Sequence, residues 1–354
     1  MNRRPPRNGE KIEEKTNTLL IDGNALFKFG FFGAKHQYNH SGVHVGGVLS
    51  FLNIMRKLLT EDLYHRVYIF WDGNLSGKLR FDFYSAYKSD RGKDYVNGTY
   101  PVDESELTQR KVIWEYINEM YIRQLKDEVV ETDDFIAYYC LNKGVNENIT
   151  IASLDRDFCQ LISNDIRIYF FDLREYVGKY NFNEFFWYKQ ENSLLIKVLN
   201  GDGGDSIKGV KGLGEKTIKN EFPELGKEIL TLNDIIEIAV KKQQKRQEEK
   251  KKPLKIYQNI IDGVTDGVHN GNLYEINYRL MDLKRPIMTN ESIENLNRLI
   301  NGTLEDANRE LKHVFQMMER DGLDKLLGET RYGDFLIPFK KLITRERKLI
   351  LWVI

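Results

Sequence analysis

The sequence predicts an α/β fold with a mainly parallel sheet flanked by helices. Three observations support this prediction: apolar runs that suit buried strands, helical periodicity between them, and acidic residues at their ends. Near-continuous apolar runs are typical of parallel strands covered on both faces. Such runs occupy residues 18–21, 67–71, 149–154 and 166–171. Ligands bind beyond the carboxyl ends of parallel strands, where the sequence places Asp22, Asp72 and Asp155.

The first half of the chain alternates these strands with helices. Gly23 and Asn24 predict a turn after the first strand, because both residue types tolerate turn conformations. Thr132 is predicted to cap the helix that follows it, over 133–141. Residues 89–102 are polar and contain glycine, which favours a mobile loop. Apolar periodicity predicts helices over 45–59, 104–125, 133–141 and 158–162.

The composition changes after about residue 200. Six glycines fall within 201–214, and a largely helical, lysine-rich region follows. Residues 241–252 hold seven basic and two acidic residues, a pattern more typical of a solvated helix or loop than of a dedicated DNA contact. The apolar and basic stretch 335–354 predicts packing or a partner contact.

The overall composition permits a nucleic-acid partner. The 354 residues suit about two domains. Setting aside the nine acids described next leaves 53 basic against 44 acidic residues. No run approaches the ~18 apolar residues of a membrane span, and the polar N-terminus lacks a secretory signal. Cys140 and Cys159 form no metal-binding pattern, which favours a reducing, cytoplasmic setting.

Nine acidic residues predict a metal centre. Carboxylates in contact repel one another by about 4 kcal/mol at a protein-surface dielectric, so a gathered set needs a cation. Such oxygen ligands suit Mg²⁺ or Mn²⁺, and two such ions commonly serve phosphodiester cleavage. Each acid alone also has a structural explanation, as a helix cap or as a charge favoured at a helix N-terminus. The nine are Asp22, Asp72, Glu131, Asp133, Asp134, Asp155, Asp157, Asp202 and Asp205.

The segment 80–91 interleaves basic and aromatic residues. This mixture suits a nucleic-acid strand, which offers phosphates and stacking faces. Lys88 and Arg91 are three residues apart and are predicted to share a helix face. A solvated basic face over an aromatic core explains the pattern equally well. The predicted DNA contacts in this segment are Arg80, Tyr84 and Tyr87.

The run 209–218 has the apolar-x-Gly-apolar-Gly-x-x-Thr pattern of the turn in a helix–hairpin–helix. Glycine lets the backbone approach a phosphate closely, and the following helix offers unpaired N–H groups. A glycine-rich connection that binds nothing is the alternative, and the Walker spacing is absent. The predicted DNA-binding residues are Val210, Lys211, Gly212, Leu213, Gly214, Lys216 and Thr217.

At these residues the sequence resembles the flap endonuclease and 5′→3′ exonuclease family. This family includes the 5′-nuclease domains of bacterial DNA polymerases and stand-alone phage enzymes. The lack of a polymerase region and the 17-residue N-terminal extension lead us to expect a stand-alone bacterial or phage type. The resemblance covers roughly residues 19–222. Its motifs, in order, are Ile21-Asp22-Gly23-Asn24, Phe70-Trp71-Asp72, Tyr84-x-x-Tyr87-Lys88-x-x-Arg91, Glu131-x-Asp133-Asp134, Leu154-Asp155-x-Asp157, Gly201-Asp202-x-x-Asp205 and the hairpin.

The resemblance implies a PIN-like core with a helical arch around 84–125, then a helix–three-turn–helix DNA-binding region. The nine acids would hold two Mg²⁺ ions, with Mn²⁺ as a substitute, and Asp134 would either ligate or orient the others. Lys88 and Arg91 would be catalytic residues beside the scissile phosphate, and K⁺ would bind at the hairpin. We expect four divisions of the chain: a polar tail at 1–17, a nuclease core at 18–200, the DNA-binding region at 201–300 and a C-terminal helical region at 301–354.

We therefore expect a metal-dependent 5′ nuclease that recognises DNA shape and acts in replication or repair. Expected substrates are DNA with a 5′ flap, a nick or a free 5′ end, together with RNA–DNA hybrids at primers, and replication proteins are expected partners. Two alternatives stay open. One is a PIN-type ribonuclease, which needs neither the hairpin nor Asp202 and Asp205. The other is a structure-specific DNA-binding protein with a decayed site.

Overall fold

A six-stranded sheet forms the centre of the computed structural model, which describes residues 15–92, 94–95, 103–120, 122–265, 272–302, 311–324 and 332–342. Its strands are Thr16–Asp22 (β1), Arg66–Asp72 (β2), Arg123–Asp127 (β3), Glu147–Ser153 (β4), Ile166–Phe170 (β5) and Glu175–Val177 (β6). They lie in the order β3-β2-β1-β4-β5-β6. A separate antiparallel pair joins Gly201–Asp202 (β7) to Ile207–Lys208 (β8).

The first five strands are parallel, and β6 is an antiparallel edge strand. Ile21 of β1 lies opposite Ile69 of β2 on one side and Ala152 of β4 on the other. This register brings the carboxyl ends of β1, β2 and β4 to the same edge. The predicted mainly parallel α/β fold is confirmed.

Helices cover the sheet and predominate among the described residues of the second half of the chain. In the first 200 residues they are Gly23–Gly33 (α1), Gly46–Glu61 (α2), Lys78–Phe83 (α3), Glu104–Glu119 (α4), Thr132–Leu141 (α5), Phe182–Phe185 (α6) and Ser193–Asn200 (α7). Those that follow are Glu215–Glu221 (α8), Leu232–Glu248 (α9), Lys255–Asp262 (α10), Leu273–Met281 (α11), Asn290–Asn301 (α12), Leu311–Arg320 (α13) and Tyr332–Phe335 (α14). Short 3₁₀ turns occupy Ser89–Arg91, Arg156–Leu161, Gln190–Asn192 and Pro223–Gly226.

Two hydrophobic clusters lie on opposite faces of the sheet, because successive strand residues point to opposite sides. Leu20, Tyr68 and Phe70 belong to the cluster that includes residues of α5 and α7. Leu19 and Ile69 belong to the other cluster, which includes residues of α1, α2 and α4. Coverage of both faces explains why these strands are apolar along their whole length.

The helix predicted over 104–125 is wrong in its last turns. Helix α4 ends at Glu119, and the residues after it form the edge strand β3 beside β2. Arg123 and Asp127 of β3 are buried, and the Asp127 carboxylate accepts a hydrogen bond from the Ser292 hydroxyl of α12 at 2.7 Å. Packing against α12 therefore overrides the helical periodicity of this stretch.

Two predictions at the starts of helices are also corrected. Gly23 begins α1 instead of a turn, because the Asp22 carboxylate accepts the Ala25 N–H and caps the helix. Thr132 is the first residue of α5, and the residue before it makes no side-chain cap. Asp72 caps this helix from the neighbouring strand, since its Oδ1 accepts the Thr132 N–H at 2.9 Å.

The structure describes part of each segment predicted at the two ends of the chain. Strand β1 begins at Thr16, inside the stretch predicted as a polar tail. Phe335 and Phe339 are buried in the cluster that holds α4, so this part of the C-terminal stretch packs against the core. Most of the predicted loop 89–102 lies outside the described residues. In the ranges that the structure describes, no helix has the length and hydropathy needed to cross a membrane.

Candidate active site

Four acidic side chains meet at the carboxyl edge of the sheet and form what we call the central acidic cluster. Asp22 and Asp72 end β1 and β2, Asp155 follows β4, and Asp133 lies in the first turn of α5. Because β1 pairs with both β2 and β4, the three strand-end acids are neighbours across the sheet. The edge predicted from the sequence therefore exists and carries these acids.

Hydrogen bonds fix the orientation of the cluster. Asp22 Oδ1 accepts the Ala25 N–H, and Asp22 Oδ2 accepts the Ser153 hydroxyl, each at 2.9 Å. The Ser153 oxygen in turn accepts the Asp155 N–H at 3.1 Å. Asp72 binds the first N–H of α5. The strand ends and α5 are therefore joined through the acids themselves.

Burial, together with mutual repulsion, disfavours the ionised form of the carboxyl groups in the cluster. Burial, with added repulsion from Asp72 and Asp155, raises the pKa of Asp22 to about 7. Burial and the charges of the other cluster members also raise the pKa of Asp133 well above its usual value. A divalent cation relieves such repulsion and returns the carboxyl groups to their ionised form.

The donor set of the cluster fits a hard divalent cation. Buried carboxylates supply the oxygen ligands that Mg²⁺ and Mn²⁺ prefer. Across the described ranges, no three acidic, histidine or cysteine side chains already stand in coordinating positions. Repulsion favours separated carboxylates, so binding requires a cation to draw them inward or to reach some of them through water.

Glu131 lies beside the cluster but is neutralised by two cations. Its carboxylate accepts hydrogen bonds from Arg80 Nη1 and from Tyr87 Oη, each at 2.8 Å, and it contacts Lys88 Nζ. Burial opposes ionisation, yet Lys88 and Arg80 together lower the pKa of Glu131 to about 2. Glu131 is therefore ionised near neutral pH and keeps Lys88 at the site.

The structure corrects the role predicted for Arg80 and shows the partners of Asp134. Asp134 is fully buried, and it accepts hydrogen bonds from Arg80 at 2.5 and 3.0 Å and from the Ile287 N–H at 2.9 Å. Arg80 is 6% exposed and also donates to the Leu280 carbonyl at 2.9 Å. A metal-ligating role for Asp134 therefore stays a prediction, whereas a DNA contact for the buried Arg80 is wrong. The orienting role expected for Asp134 agrees with its position.

Asp157 and Asp202 form a second acidic pair with a lysine between them. Lys197 Nζ lies 2.8 Å from Asp157 Oδ1 and 2.7 Å from Asp202 Oδ2. Burial and the charge of Asp155 raise the pKa of Asp157 to about 7 despite this lysine. Against the effect of burial, Lys197 lowers the pKa of Asp202. A metal ion that uses both carboxylates must displace Lys197.

Lys88 and Arg91 are held by the loop between β7 and β8. Arg91 Nη2 lies 2.6 Å from Asp205 Oδ1 and 3.0 Å from the Gly204 carbonyl oxygen. The Lys88 N–H donates to the Asp205 carbonyl at 2.9 Å. Lys88 has a left-handed φ of 52° and precedes a 3₁₀ turn, so the predicted shared helix face is wrong. Both cations nevertheless lie beside acids of the predicted site.

The two tyrosines predicted to contact DNA differ in their surroundings. Tyr87 is 2% exposed and donates hydrogen bonds to Glu131 and Asp205. A stacking role for Tyr87 on DNA is therefore wrong, because its ring is covered by the protein. Tyr84 is half-buried against the core, and its contact with DNA stays a prediction.

The hairpin sequence forms an exposed turn on a buried anchor. Val210 and Leu213 are buried, so their side chains hold the turn and a side-chain contact with DNA is wrong for these two. Gly212 has a φ of 81°, a conformation that favours glycine, and open space faces it. DNA contacts stay predictions for the exposed Lys211, Gly212, Gly214 and Lys216 and for the half-buried Thr217.

Sequence reasoning missed Ser153 and Lys197. Ser153 is a fully buried hydroxyl at the end of an apolar strand, two residues before Asp155, and that polar interruption was an available signal. Lys197 lies in α7, and nothing in its spacing links it to Asp157. Only the fold shows that this lysine stands between two predicted ligands.

A family model described as the 5′-3′ exonuclease N-terminal, resolvase-like domain matches residues 17–187. The match contains the whole central acidic cluster, Glu131, Lys88 and Arg91. Residues 17–187 therefore form a domain of the 5′-3′ exonuclease family. This finding confirms the resemblance that the ordered motifs suggested.

Relatives of this chain include DNA polymerases and shorter 5′-3′ exonucleases. A thermostable DNA polymerase I from Thermus caldophilus is 29% identical over 220 residues, which are 61% of this chain and 25% of the polymerase. The chain thus spans about a quarter of the length of such polymerases. A 5′-3′ exonuclease from Mycoplasma pneumoniae is 26% identical over 249 residues, which are 65% of this chain and 82% of that relative.

Solved structures of the T5 enzyme share the fold of this chain. T5 5′-exonuclease with bound zinc ions matches with a TM-score of 0.55 and 20% identity, over 86% of this chain and 98% of the other. The T5 flap endonuclease complex with DNA and metal ions matches with a TM-score of 0.53 and 20% identity. This match covers 86% of this chain and 99% of the other. At this identity the comparison shows a common fold.

Proposed function

We propose that this protein is a divalent-metal-dependent, structure-specific 5′ nuclease that hydrolyses DNA phosphodiesters. The observation that carries the proposal is the central acidic cluster at the carboxyl edge of the sheet, with Lys88 and Arg91 held beside neighbouring acids. Family membership supports the same activity. The metal-bound T5 structures support a requirement for divalent ions.

The cluster is proposed to bind two Mg²⁺ ions, with Mn²⁺ as a substitute. Bound ions of this kind supply the Lewis acidity that activates water and stabilises charge on the phosphate. Arg80 and Tyr87 hold the Glu131 carboxylate in a fixed orientation. The remaining candidate ligands, outside the cluster, are Glu131, Asp134, Asp157, Asp202 and Asp205.

Lys88 and Arg91 are proposed to bind the scissile phosphate. In the structure their charges are directed to Glu131 and Asp205. A phosphate that enters the site offers these cations an alternative partner, since charge-assisted hydrogen bonds to phosphate are strong. The cations then stabilise the negative charge that develops during cleavage.

The hairpin is proposed to hold the duplex part of the substrate. Gly212 leaves room for a phosphate to approach the backbone, and the exposed Lys211 and Lys216 add positive charge. K⁺ bound by hairpin carbonyls would add to this contact. Because such contacts reach the phosphates and not the bases, DNA affinity should fall steeply with salt.

The proposed substrates are DNA molecules with a 5′ flap, a nick or a free 5′ end, together with RNA–DNA hybrids at primers. Removal of such ends belongs to replication and repair, so cytoplasmic replication proteins are the proposed partners. The DNA-bound T5 flap endonuclease and the polymerase relatives support this assignment.

Cleavage of three labelled substrates tests the proposal: a 5′ flap, a nicked duplex and a single-stranded RNA, each with Mg²⁺ and with EDTA. We expect cleavage of both DNA substrates in Mg²⁺ and none in EDTA. Cleavage of the RNA alone would favour a PIN-type ribonuclease. Flap binding without cleavage of any substrate would favour a DNA-binding protein.

A matched pair of variants connects the activity to the cluster. Asp155→Asn should slow cleavage by roughly a thousandfold, because several kcal/mol of charge stabilisation are lost, while flap affinity is retained. Asp172→Asn is the control, since Asp172 is an exposed acid that pairs with Arg156. Wild-type turnover by Asp155→Asn would contradict the assignment of the cluster.

A further inference from the structure

The end of α9 carries exposed lysines that the proposed site does not use. We call Lys245, Lys250 and Lys252 the basic tip, because they lie where α9 ends and the chain turns towards α10. All three side chains are exposed. Over the described ranges, the ion pairs of this region involve their neighbours Lys241 and Lys251. The basic tip therefore presents positive charge to solvent.

Hydrogen bonds fix the turn that carries the basic tip. Gln243 is almost fully buried, and its amide donates to the Leu254 carbonyl at 3.3 Å and accepts the Leu254 N–H at 3.1 Å. Arg246 Nε donates to the Lys252 carbonyl at 3.0 Å. The Lys251 N–H donates to the Arg246 carbonyl at 2.8 Å. The lysines therefore stand on a defined backbone, unlike those of a frayed helix end.

Helix α9 is anchored on the second helix of the hairpin motif, α8. Lys242 Nζ contacts the carbonyl oxygen of Glu221 and lies 5.1 Å from the ring centre of Phe222. Tyr257 of α10 donates to the Glu221 carboxylate at 2.5 Å. These contacts join α8, α9 and α10, so the basic tip keeps a fixed position relative to the hairpin.

Helix α10 separates the basic tip from the hairpin turn. Near its C-terminal end, Asn259 donates to the Lys211 carbonyl at 2.9 Å, and the Lys211 N–H donates to the Val264 carbonyl at 2.8 Å. Its N-terminal end begins at Lys255, directly after the turn. Eight residues of helix span about 12 Å, which corresponds to roughly three to four base pairs of duplex.

We propose that the basic tip is a second phosphate-binding surface, which contacts the substrate duplex beyond the hairpin. This inference rests on the proposed function, because it takes the hairpin as the first duplex contact. Exposed lysines on a fixed backbone are suited to sequence-independent phosphate binding. The distance from the hairpin places the contact a few base pairs further along the DNA. The alternative is that the basic tip binds an acidic protein partner.

A length series of flap substrates tests the basic tip. The variant Lys245→Gln/Lys250→Gln/Lys252→Gln is compared with wild type on flaps whose downstream duplex is about 6 or about 20 base pairs. With the hairpin holding about the first three base pairs, a contact three to four base pairs further on lies at or beyond the end of the shorter duplex. Binding is measured by fluorescence anisotropy without divalent metal and over a series of KCl concentrations. On the long duplex we expect about tenfold weaker affinity and a salt slope reduced by about 1 per lost contact. On the short duplex we expect a change below about twofold.

The control variant removes the same charge elsewhere. Lys126→Gln/Lys179→Gln/Lys341→Gln changes three exposed lysines outside the hairpin region and should bind both substrates like wild type. Equal losses in the two triple variants, or an equal loss on both duplex lengths, would overturn the proposal. Wild-type affinity of the tip variant on the long duplex would also overturn it and would favour a protein partner.

Two further measurements keep the result interpretable. Thermal unfolding of the tip variant should match wild type, and Lys252→Gln alone should show a smaller effect in the same direction. When the enzyme is in excess of the substrate and its concentration saturates binding, the single-turnover cleavage rate of the tip variant should equal that of wild type. Binding is measured without metal, so failure of the wild-type protein to cleave would contradict the proposed function and not the surface.

Discussion

The Arg80 guanidinium joins two acids of one sequence motif, with Nη1 at 2.8 Å from Glu131 and 2.5 Å from Asp134. Glu131 also contacts Lys88 of the candidate site. Asp134 is fully buried and binds the Ile287 N–H. A candidate metal ligand is therefore held in place through a second acid of the same motif.

Replacement of Arg80 should affect stability first. Arg80→Ala leaves Asp134 as an uncompensated buried charge, so we expect the free energy of unfolding to fall by about 3–5 kcal/mol. Urea denaturation measures this change. The control is Lys78→Ala on the same helix, whose exposed pair with Asp82 at 2.7 Å should contribute less than about 1 kcal/mol. Weaker flap binding with unchanged stability would restore Arg80 as a DNA contact.

Asp133 and Asp134 should respond oppositely to the same substitution. Asp133→Asn removes a carboxylate whose pKa is raised by burial and neighbouring acids, so it should stabilise the metal-free protein. Asp134→Asn removes the charge that balances Arg80 and should destabilise it. Asp133→Asn should also weaken Mn²⁺ binding. Calorimetric unfolding and Mn²⁺ titration check both variants. If both substitutions stabilised the protein, or both destabilised it, the different roles assigned to Asp133 and Asp134 would be contradicted.

The metal-free protein should show a distinctive dependence on pH. Burial raises the pKa of Asp22 from 3.8 to about 7. Between these values the folded state binds the proton more tightly than the unfolded state, so this contribution to stability falls as pH rises. The Tm of Asp22→Asn minus that of wild type should therefore increase from pH 4 to pH 7. Saturating Mg²⁺ should reduce this increase, because the cation replaces the proton. A constant difference without metal would contradict the prediction.

Lys197 should compete with a metal ion for two acids. Lys197→Met frees Asp157 and Asp202, so the weaker of the Mn²⁺ sites should bind roughly tenfold more tightly, which corresponds to about 1.4 kcal/mol. Isothermal titration calorimetry measures the affinity and the number of ions. Lys179→Met, an exposed lysine remote from these acids, is the control. An unchanged or weaker Mn²⁺ affinity in Lys197→Met would show that the lysine does not occupy a metal position.

The strand-end acids were predictable because their signal is local. An apolar run followed by an acid places Asp22, Asp72 and Asp155 on a strand end, and parallel pairing then brings them to one edge. The same reasoning could not show that Asp133 and its neighbour Asp134 have different partners and roles. Their difference depends on Arg80 and Ile287, which lie 54 and 153 positions from Asp134 in the chain.

Strand β3 is a second feature that could not be predicted from the sequence alone. Its residues continue the periodicity of α4, and their state is decided by pairing with β2 and by cover from α12. The roles of Val210 and Leu213 were misread for a related reason. A motif shows that a turn will form, but burial decides which of its side chains hold the turn and which face solvent.

The hydrogen bond from the Ile287 N–H to Asp134 has a consequence for biosynthesis. The acids of the sheet edge leave the ribosome long before Leu280 and Ile287 do. Until α11 and the residues after it have been synthesised, Arg80 lacks the Leu280 carbonyl and Asp134 lacks the Ile287 N–H, so the pair that supports Glu131 is incomplete. We therefore expect Arg80 and Asp134 to take their final positions only after these residues have been synthesised.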